Sequence, residues 1–379
     1  MVNVHLQARV PDGVDAVAAF ALIAPEIFAD ADTVDRLGAF PADAIASLAA
    51  AGLLTRPLPR AHGGEALAVA AEATEAADCL GALLTAIGAA SLTVGRLFEG
   101  HCNAILLVDR YGGPMATLAA EASAGRISGV WNAERGAGLQ ARRCSDGWRL
   151  TGRKVHCSGA GSIRRPLVTA QTPDDGPLMC LVDMASAGIA VDLSVWQAAG
   201  MRGTATGTVD FDDVFVAADA VIGGPGDYYR APLFAGGAWR VLAVQLGGLR
   251  QILALHAAQL TRSGRGADAV SRHRFSAAAG AFESARLLVA EAGRRATDAT
   301  APPDAIVAYV DLARGTFETL ALLGVDAARR NAGLAAFLGP DPLDRCCRDL
   351  ETYLRQPMLD ASRDNAAAYL LARGGAFQP

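Results

Sequence analysis

Apolar positions along the chain fall into three textures. From residue 16 they recur at helical spacing: Val17, Phe20, Ile23, Ile27 and Phe28 share one face and predict a helix over 16–31. Pro41 opens a second helix over 42–51, and Gly52 closes it as a left-handed cap. The prolines and paired glycines between 53 and 64 forbid regular structure. Two more helices are predicted over 67–79 and 83–110, and Gly112-Gly113-Pro114 ends the run.

Between 116 and 225 the period shortens to two. Within 128–161 we expect a strand, a loop at Gly136-Ala137-Gly138, a second strand, a tight turn at Ser145-Asp146-Gly147 and two further strands. Trp148 and Leu150 alternate with Arg149 and Thr151 beyond that turn, a hairpin signal. Runs at 166–170, 178–182, 189–191 and 208–211, with turns such as Pro173-Asp174-Asp175-Gly176, bring the total to seven or eight strands. Their spacing predicts a small antiparallel barrel or sandwich. Helical spacing then returns over 240–262, 275–297, 303–332, 343–354 and 361–373. The expected class is α+β, mostly α. A helical domain spans 1–115, a β-domain 116–225, and a four-helix bundle 226–379.

Composition narrows the function. The chain has 379 residues and a net charge of −5, with no basic cluster beyond pairs such as Arg294-Arg295 and Arg329-Arg330. That balance argues against nucleic acid. Charged residues or glycine interrupt every apolar run before it reaches bilayer length, and MVNVHLQARVPDG lacks a basic-then-apolar leader. Seven scattered cysteines show no metal spacing. A cytoplasmic protein without membrane, metal or disulfide is the expectation.

Several strings carry a family likeness. They are Trp196-Gln197-Ala198-Ala199-Gly200-Met201-Arg202-Gly203-Thr204, then Val209-Asp210-Phe211-Asp212-Asp213-Val214-Phe215-Val216, then Leu150-Thr151-Gly152-Arg153-Lys154-Val155. Val221-Ile222-Gly223-Gly224-Pro225-Gly226 and Arg348-Asp349 fit in place. Together, and in the order helices, β-domain, bundle, they make the chain resemble the acyl-CoA dehydrogenase family of flavoproteins.

That resemblance implies FAD in the seam between β-domain and bundle. One wall is the segment from Trp131 and Asn132 through Ala133-Glu134-Arg135-Gly136-Ala137-Gly138-Leu139, similar to the family's T-E-P-G-A-G-S-D loop but with Ala133 and Leu139 replacing its hydroxyls. The second is His156-Cys157-Ser158, similar to W-x-[ST]; Ser158 keeps the hydroxyl that meets flavin N5, and His156 replaces the covering Trp. Arg272, Phe275 and Glu283 resemble the string that grips the FAD tail from a neighbouring subunit, implying a homodimer or homotetramer. The later glycine loop survives only as Gly333.

The family's base is less evident. Dehydrogenation of a thioester needs a carboxylate for the α-proton. Trp239, ahead of Arg240, occupies one family position, and Ala361, beside Asp360, the other. Asp360 stands open as base or as N-cap of the last helix. Trp239 reads as a packed wall, and Arg240 as a contact to substrate or to a partner carboxylate. His156 reads as flavin cover or plain strand residue. His62 and His101 are expected on loop and helix surfaces, and Cys346 and Cys347 as small buried residues. The implied activity is FAD-dependent oxidation of an acyl-CoA or carrier-bound thioester, with electron-transfer flavoprotein or a flavin reductase as partner. The alternatives are a flavin monooxygenase on the same fold, which needs no such base, and a retired binding subunit.

Overall fold

Helical and strand periods resolve into nineteen elements among the residues described by the computed structural model, 15–69, 73–173 and 176–377. The N-terminal segment Met1–Gly13 and the Asp174-Asp175 turn lie outside the described residues. The first helices are α1 (Ala16–Leu37), α2 (Ala42–Ala50), α3 (Ala73–Ala90), α4 (Leu92–Tyr111) and α5 (Met115–Ser123). The strands are β1 (Val130–Trp131), β2 (Leu139–Cys144), β3 (Gly147–Cys157), β4 (Leu167–Thr172), β5 (Gly176–Leu181), β6 (Ile189–Asp192), β7 (Gly207–Ala217) and β8 (Val221–Ile222). The last helices are α6 (Leu233–Gly236), α7 (Trp239–Arg262), α8 (Ala269–Ala296), α9 (Pro303–Ala332), α10 (Pro342–Tyr353) and α11 (Leu359–Leu371).

The strands form one sheet in the order β6-β7-β3-β2-β4-β5-β8, with β1 added on β4. It is mixed, because β1 and β2 both run parallel to β4. The expected antiparallel barrel or sandwich is therefore corrected to a mixed sheet. Alternation of side chains fixes which face is buried but not strand direction.

Helix boundaries moved where packing overrode local signals. The expected break at residues 80–82 does not occur. Gly81 stays inside α3, packed beside the Trp239 ring. The break falls instead at Ser91, an extended residue whose hydroxyl caps α4 by accepting from Val94 N–H. Likewise α8 begins at Ala269, ahead of Phe275, because Asp268 caps it through Ser271 N–H at 2.8 Å. Helix α5 was not foreseen.

Apolar contacts join all parts into one cluster, from Phe20 on α1 through Leu150 on β3 to Leu350 on α10. Helices α3 and α7 cross closely. A Cβ at Gly88 would lie 2.1 Å from Val244 O, and one at Gly247 would lie 2.2 Å from Thr85 O. The stretch 233–262 passes the length and composition test for a membrane span, against the sequence expectation. More than half of it is buried here, against α3, α8 and α9.

The strings behind the family likeness do mechanical work. Trp196 donates its indole N–H to Met201 O at 3.0 Å, and Met201 N–H reaches Asp349 Oδ1 on α10 at 2.6 Å. Arg348 ties Ala199 O to Asp35 on α1 at 2.8 and 2.7 Å. Sheet, bundle and first helix are thus locked together.

Burial pushes the Asp349 carboxyl up to about 6, with the Met201 N–H and Arg345 opposing. A carboxyl that titrates higher folded than unfolded stabilises the protonated native state. Its contribution is complete below pH 4 and is lost as pH rises through 6. The shift corresponds to about 3 kcal/mol. Asp349→Asn keeps the acceptor for Met201 and removes the charge. We expect it to raise the melting temperature at pH 7.5 by a few degrees relative to wild type, with little gain at pH 4. Thermal melts at both values measure this, and equal shifts at both would contradict it.

His101 is buried, not at the surface as expected. Its Nε2–H donates to Leu54 O at 2.9 Å and its Nδ1 accepts Ser128 N–H at 3.0 Å. Burial holds this ring neutral, with its pKa lowered to about 4. His62 is exposed, as expected, and Cys346 and Cys347 are buried.

Candidate functional site

The seam between sheet and bundle has a wall built on Lys154. This lysine lies on β3 and is fully buried. Its ammonium donates to Asn132 O at 3.1 Å, to Thr169 Oγ1 at 2.9 Å and to the Glu134 carboxylate. Burial lowers its pKa while Glu134 opposes the shift. All three ammonium hydrogens are used. Thr169 in turn donates to Asn132 Oδ1 at 2.8 Å, which also accepts from Tyr229 OH at 3.1 Å. The loop after β1 therefore closes over an ion pair. Gly138, with φ +68°, lies so near Glu134 that a Cβ would sit 2.4 Å from its carboxylate.

The second wall is a β-bulge. β3 pairs Lys154 with Val209 and then Cys157 with Gly207, so two residues of β3 oppose one of β7. His156 takes up the irregularity with φ +55° and projects outward, exposed. Partial burial and nearby Arg135 lower its pKa. Cys157 is buried and its thiol is pushed up to about 12, so it is no nucleophile. Trp131 is buried as well and spends its indole N–H on Ser158 O at 3.0 Å. Thr204 donates to Met201 O and lies 2.8 Å from Thr206, so it receives the Thr206 hydrogen. Ser158 Oγ is 3.5 Å from Thr206 Oγ1, a long contact at the edge of hydrogen-bond distance.

Bundle residues face these walls. Arg96, Glu99 and Asn103 share one face of α4, spaced three and four apart. Arg96 Nη1 donates to Glu99 Oε2 at 2.6 Å, and Asn103 donates to the other oxygen. Arg240, buried at the start of α7, donates its Nε to Asn103 Oδ1 at 2.6 Å. Burial lowers the Arg240 pKa, with Glu99 resisting. Trp239 is 3% exposed, and its indole N–H has no partner. The Tyr353 hydroxyl on α10 is also buried without a partner; burial first and Glu99 second push its pKa upward. Tyr228, Tyr229 and Phe234 pack at ring separations of 5.0–5.1 Å beside Asn132.

The structure thus brings Trp131, Asn132, Ala133, Gly138, Cys157 and Ser158 together on the sheet side and Arg240 into the row on α4 and α7, while the Trp239 ring packs between Gly81 on α3 and Gly293 on α8. Leu139 is in the wall only through its backbone, because its side chain is wholly buried in the sheet. Asp360 is elsewhere: its carboxylate is fully in solvent at the start of α11, beside Arg363 at 3.4 Å, and α11 packs on α9. Nor does it cap α11, where no side-chain cap bond exists. Arg272 is exposed and donates to Ala267 O at 2.6 Å and Gly266 O at 3.3 Å. Phe275 packs edge-on against His256, and Glu283 pairs with Arg286. Asn331, next to Gly333, is locked to His256 and Ser271 at 2.8 and 3.0 Å.

Sequence reasoning missed Arg96, Glu99, Asn103, Tyr229 and Tyr353. A polar stripe within the otherwise apolar α4 was the available signal for the first three.

No protein-family model matches the sequence, and no curated protein matches it. Among solved structures, a dibenzothiophene monooxygenase (TdsC) from Paenibacillus sp. A11-2 superposes with a TM-score of 0.82 at 22% identity, covering 94% of this chain and 97% of that one. A nitrososynthase from Micromonospora carbonacea var. africana gives 0.78 at 23% identity, over 96% and 97%. KijD3, in complex with FMN and a dTDP-linked amino keto sugar, gives 0.81 at 20% identity, over 97% and 96%. The chain shares the fold of these structures, the acyl-CoA dehydrogenase-like fold, and KijD3 among them is described with FMN bound.

Proposed function

We propose that the chain is a flavin-dependent oxidoreductase acting on a small molecule in the seam, and that it is an oxygenase of the monooxygenase type. The residues fit a flavin. Ser158 offers a half-buried hydroxyl held only by a long 3.5 Å contact to Thr206, and Trp239 and Tyr353 hold buried donors with nothing to bond. Such orphans are rare in a finished interior. Ser158 and the loop from Asn132 to Gly138 would hold the ring from the sheet side. A bound flavin supplies two-electron chemistry and reactivity toward oxygen. The chain's own part is to aim the Ser158 hydroxyl, exclude water with the Tyr228–Phe234 aromatics, and keep the loop rigid through Lys154.

One observation favours oxygenation over thioester dehydrogenation: among the described residues, the seam has no free carboxylate. Glu99 has both oxygens engaged by Arg96 and Asn103, and Asp360 is in solvent. A base must reach its proton. Similarity to structures described as a monooxygenase and a nitrososynthase supports the same reading.

FMN suits the chain better than FAD. Of the residues that resemble the family's grip on the FAD tail, Arg272 bonds the turn ahead of α8, Phe275 packs on His256 and Glu283 pairs with Arg286 on its own helix. A flavin reductase as electron donor belongs to this reading. A homo-oligomer does too, supported by exposed Leu287, Leu323 and Phe337 on the bundle surface.

Titrating the purified chain with FMN and with FAD, followed by anaerobic reduction and oxygen pulses, tests the proposal. Tighter FMN binding and oxygen consumption without prior thioester are expected. Flavin bleaching by an acyl-CoA under nitrogen would overturn it in favour of dehydrogenation. Ser158→Ala is expected to weaken FMN about 10-fold, the worth of one hydrogen bond. Unchanged affinity would remove Ser158 from the contact.

A further inference from the structure

The polar row of α4 and α7 carries more positive charge than its own carboxylate balances. Arg96 and Arg240 surround one anion, Glu99. Glu99 has both oxygens engaged. Arg240 spends only its Nε, on Asn103, and its terminal amino groups bond nothing among the described residues. Tyr353 OH, nine-tenths buried on α10, is electrostatically coupled to Glu99 and Arg96 and has no partner. A buried cation without a counter-charge is costly, and so is a buried donor without an acceptor. One ligand group cures both: a single negative charge spread over two oxygens, matched to forked guanidinium donors.

We infer that the substrate of this seam carries a carboxylate, received by the guanidinium groups of Arg96 and Arg240 and by the hydroxyl of Tyr353. The inference rests on the flavin reading for where the substrate reacts, but not for where its anion binds. The Tyr228, Tyr229 and Phe234 rings give the rest of such a molecule an apolar surface. A phosphate dianion would overshoot the single excess charge.

The probes are benzoate, its neutral isostere benzamide, and inorganic phosphate, titrated by calorimetry into the FMN-treated full chain while flavin absorbance reports occupancy. Benzoate is expected to bind about 10-fold or more tighter than benzamide, the difference an ion-assisted hydrogen bond makes. Tyr353→Phe should remove about 10-fold of that preference, and Arg240→Met more, with benzamide unaffected. Arg240→Lys, which keeps the charge and loses the fork, should fall between them and guards against misfolding of the methionine variant. Bound FMN with equal affinity for benzoate and benzamide overturns the inference and leaves the flavin reading standing. Phosphate binding as tightly as benzoate also overturns it. A benzoate preference in a chain that takes up no FMN upholds the anion site and sinks the flavin reading instead.

Discussion

Replacing Lys154 by methionine is expected to destabilise the protein by about 3 kcal/mol and to weaken flavin binding more than any other single change in the β-sheet. The reason is topological as well as electrostatic. Lys154 is the one side chain that touches Asn132, Glu134 and Thr169, and so joins the loop after β1 to two strands. Methionine fills the same volume, so packing loss is small. What remains is Glu134 without its counter-ion. Glu134 is 21% exposed on its side chain, so part of the penalty is relieved by water and the lower end of the usual range applies. The double variant Lys154→Met/Glu134→Gln should recover stability, since neither charge is then stranded, but not flavin affinity, since the loop still lacks its tie. Urea melts and FMN titrations of wild type, both singles and the double give the coupling. A Lys154→Met protein with wild-type FMN affinity would show that the loop holds its shape without the ion pair.

The fold was largely legible because its signals are local and repeated. Long runs at helical spacing set α7, α8 and α9, and Asp-Gly with alternating Trp148 and Leu150 set the β2–β3 hairpin. What was lost lay in signals of another kind. Gly81 reads as a breaker in sequence, yet it lies inside α3, where it packs beside the Trp239 ring from α7. Strand direction in the sheet is decided by where β4 finds partners, and alternation is blind to that.

The candidate site was legible by halves. The sheet half sits in continuous strings, so Ser158, Asn132 and Gly138 could be placed from likeness alone. The bundle half is assembled from α4, the turn at Tyr228, α7 and α10, segments scattered between residues 92 and 353, and no string spans them. Asp360 attracted attention because it is a carboxylate near an expected register. Two factors put it in solvent: Met358 in left-handed geometry starts a new helix, and that helix packs on the far side of α9.

Glu99→Ala should be the most damaging substitution in the bundle, at about 3–5 kcal/mol. The side chain is small and the cavity left by it modest; the loss comes from charge. Removing Glu99 leaves Arg96 and Arg240 facing each other across Asn103 with no anion between them, Arg240 being only 8% exposed. Glu99→Gln keeps an acceptor for Arg96 and removes the charge, at the cost of setting its NH2 against the Asn103 amide donor. It should cost less than the alanine variant, and added benzoate should restore more of its stability than of the wild type's, since the ligand then replaces the missing anion. Chemical melts with and without benzoate measure both effects. A Glu99→Ala variant destabilised by under about 1 kcal/mol would mean that water reaches the arginines freely, and the row would then be a hydrated surface, not a buried receptor.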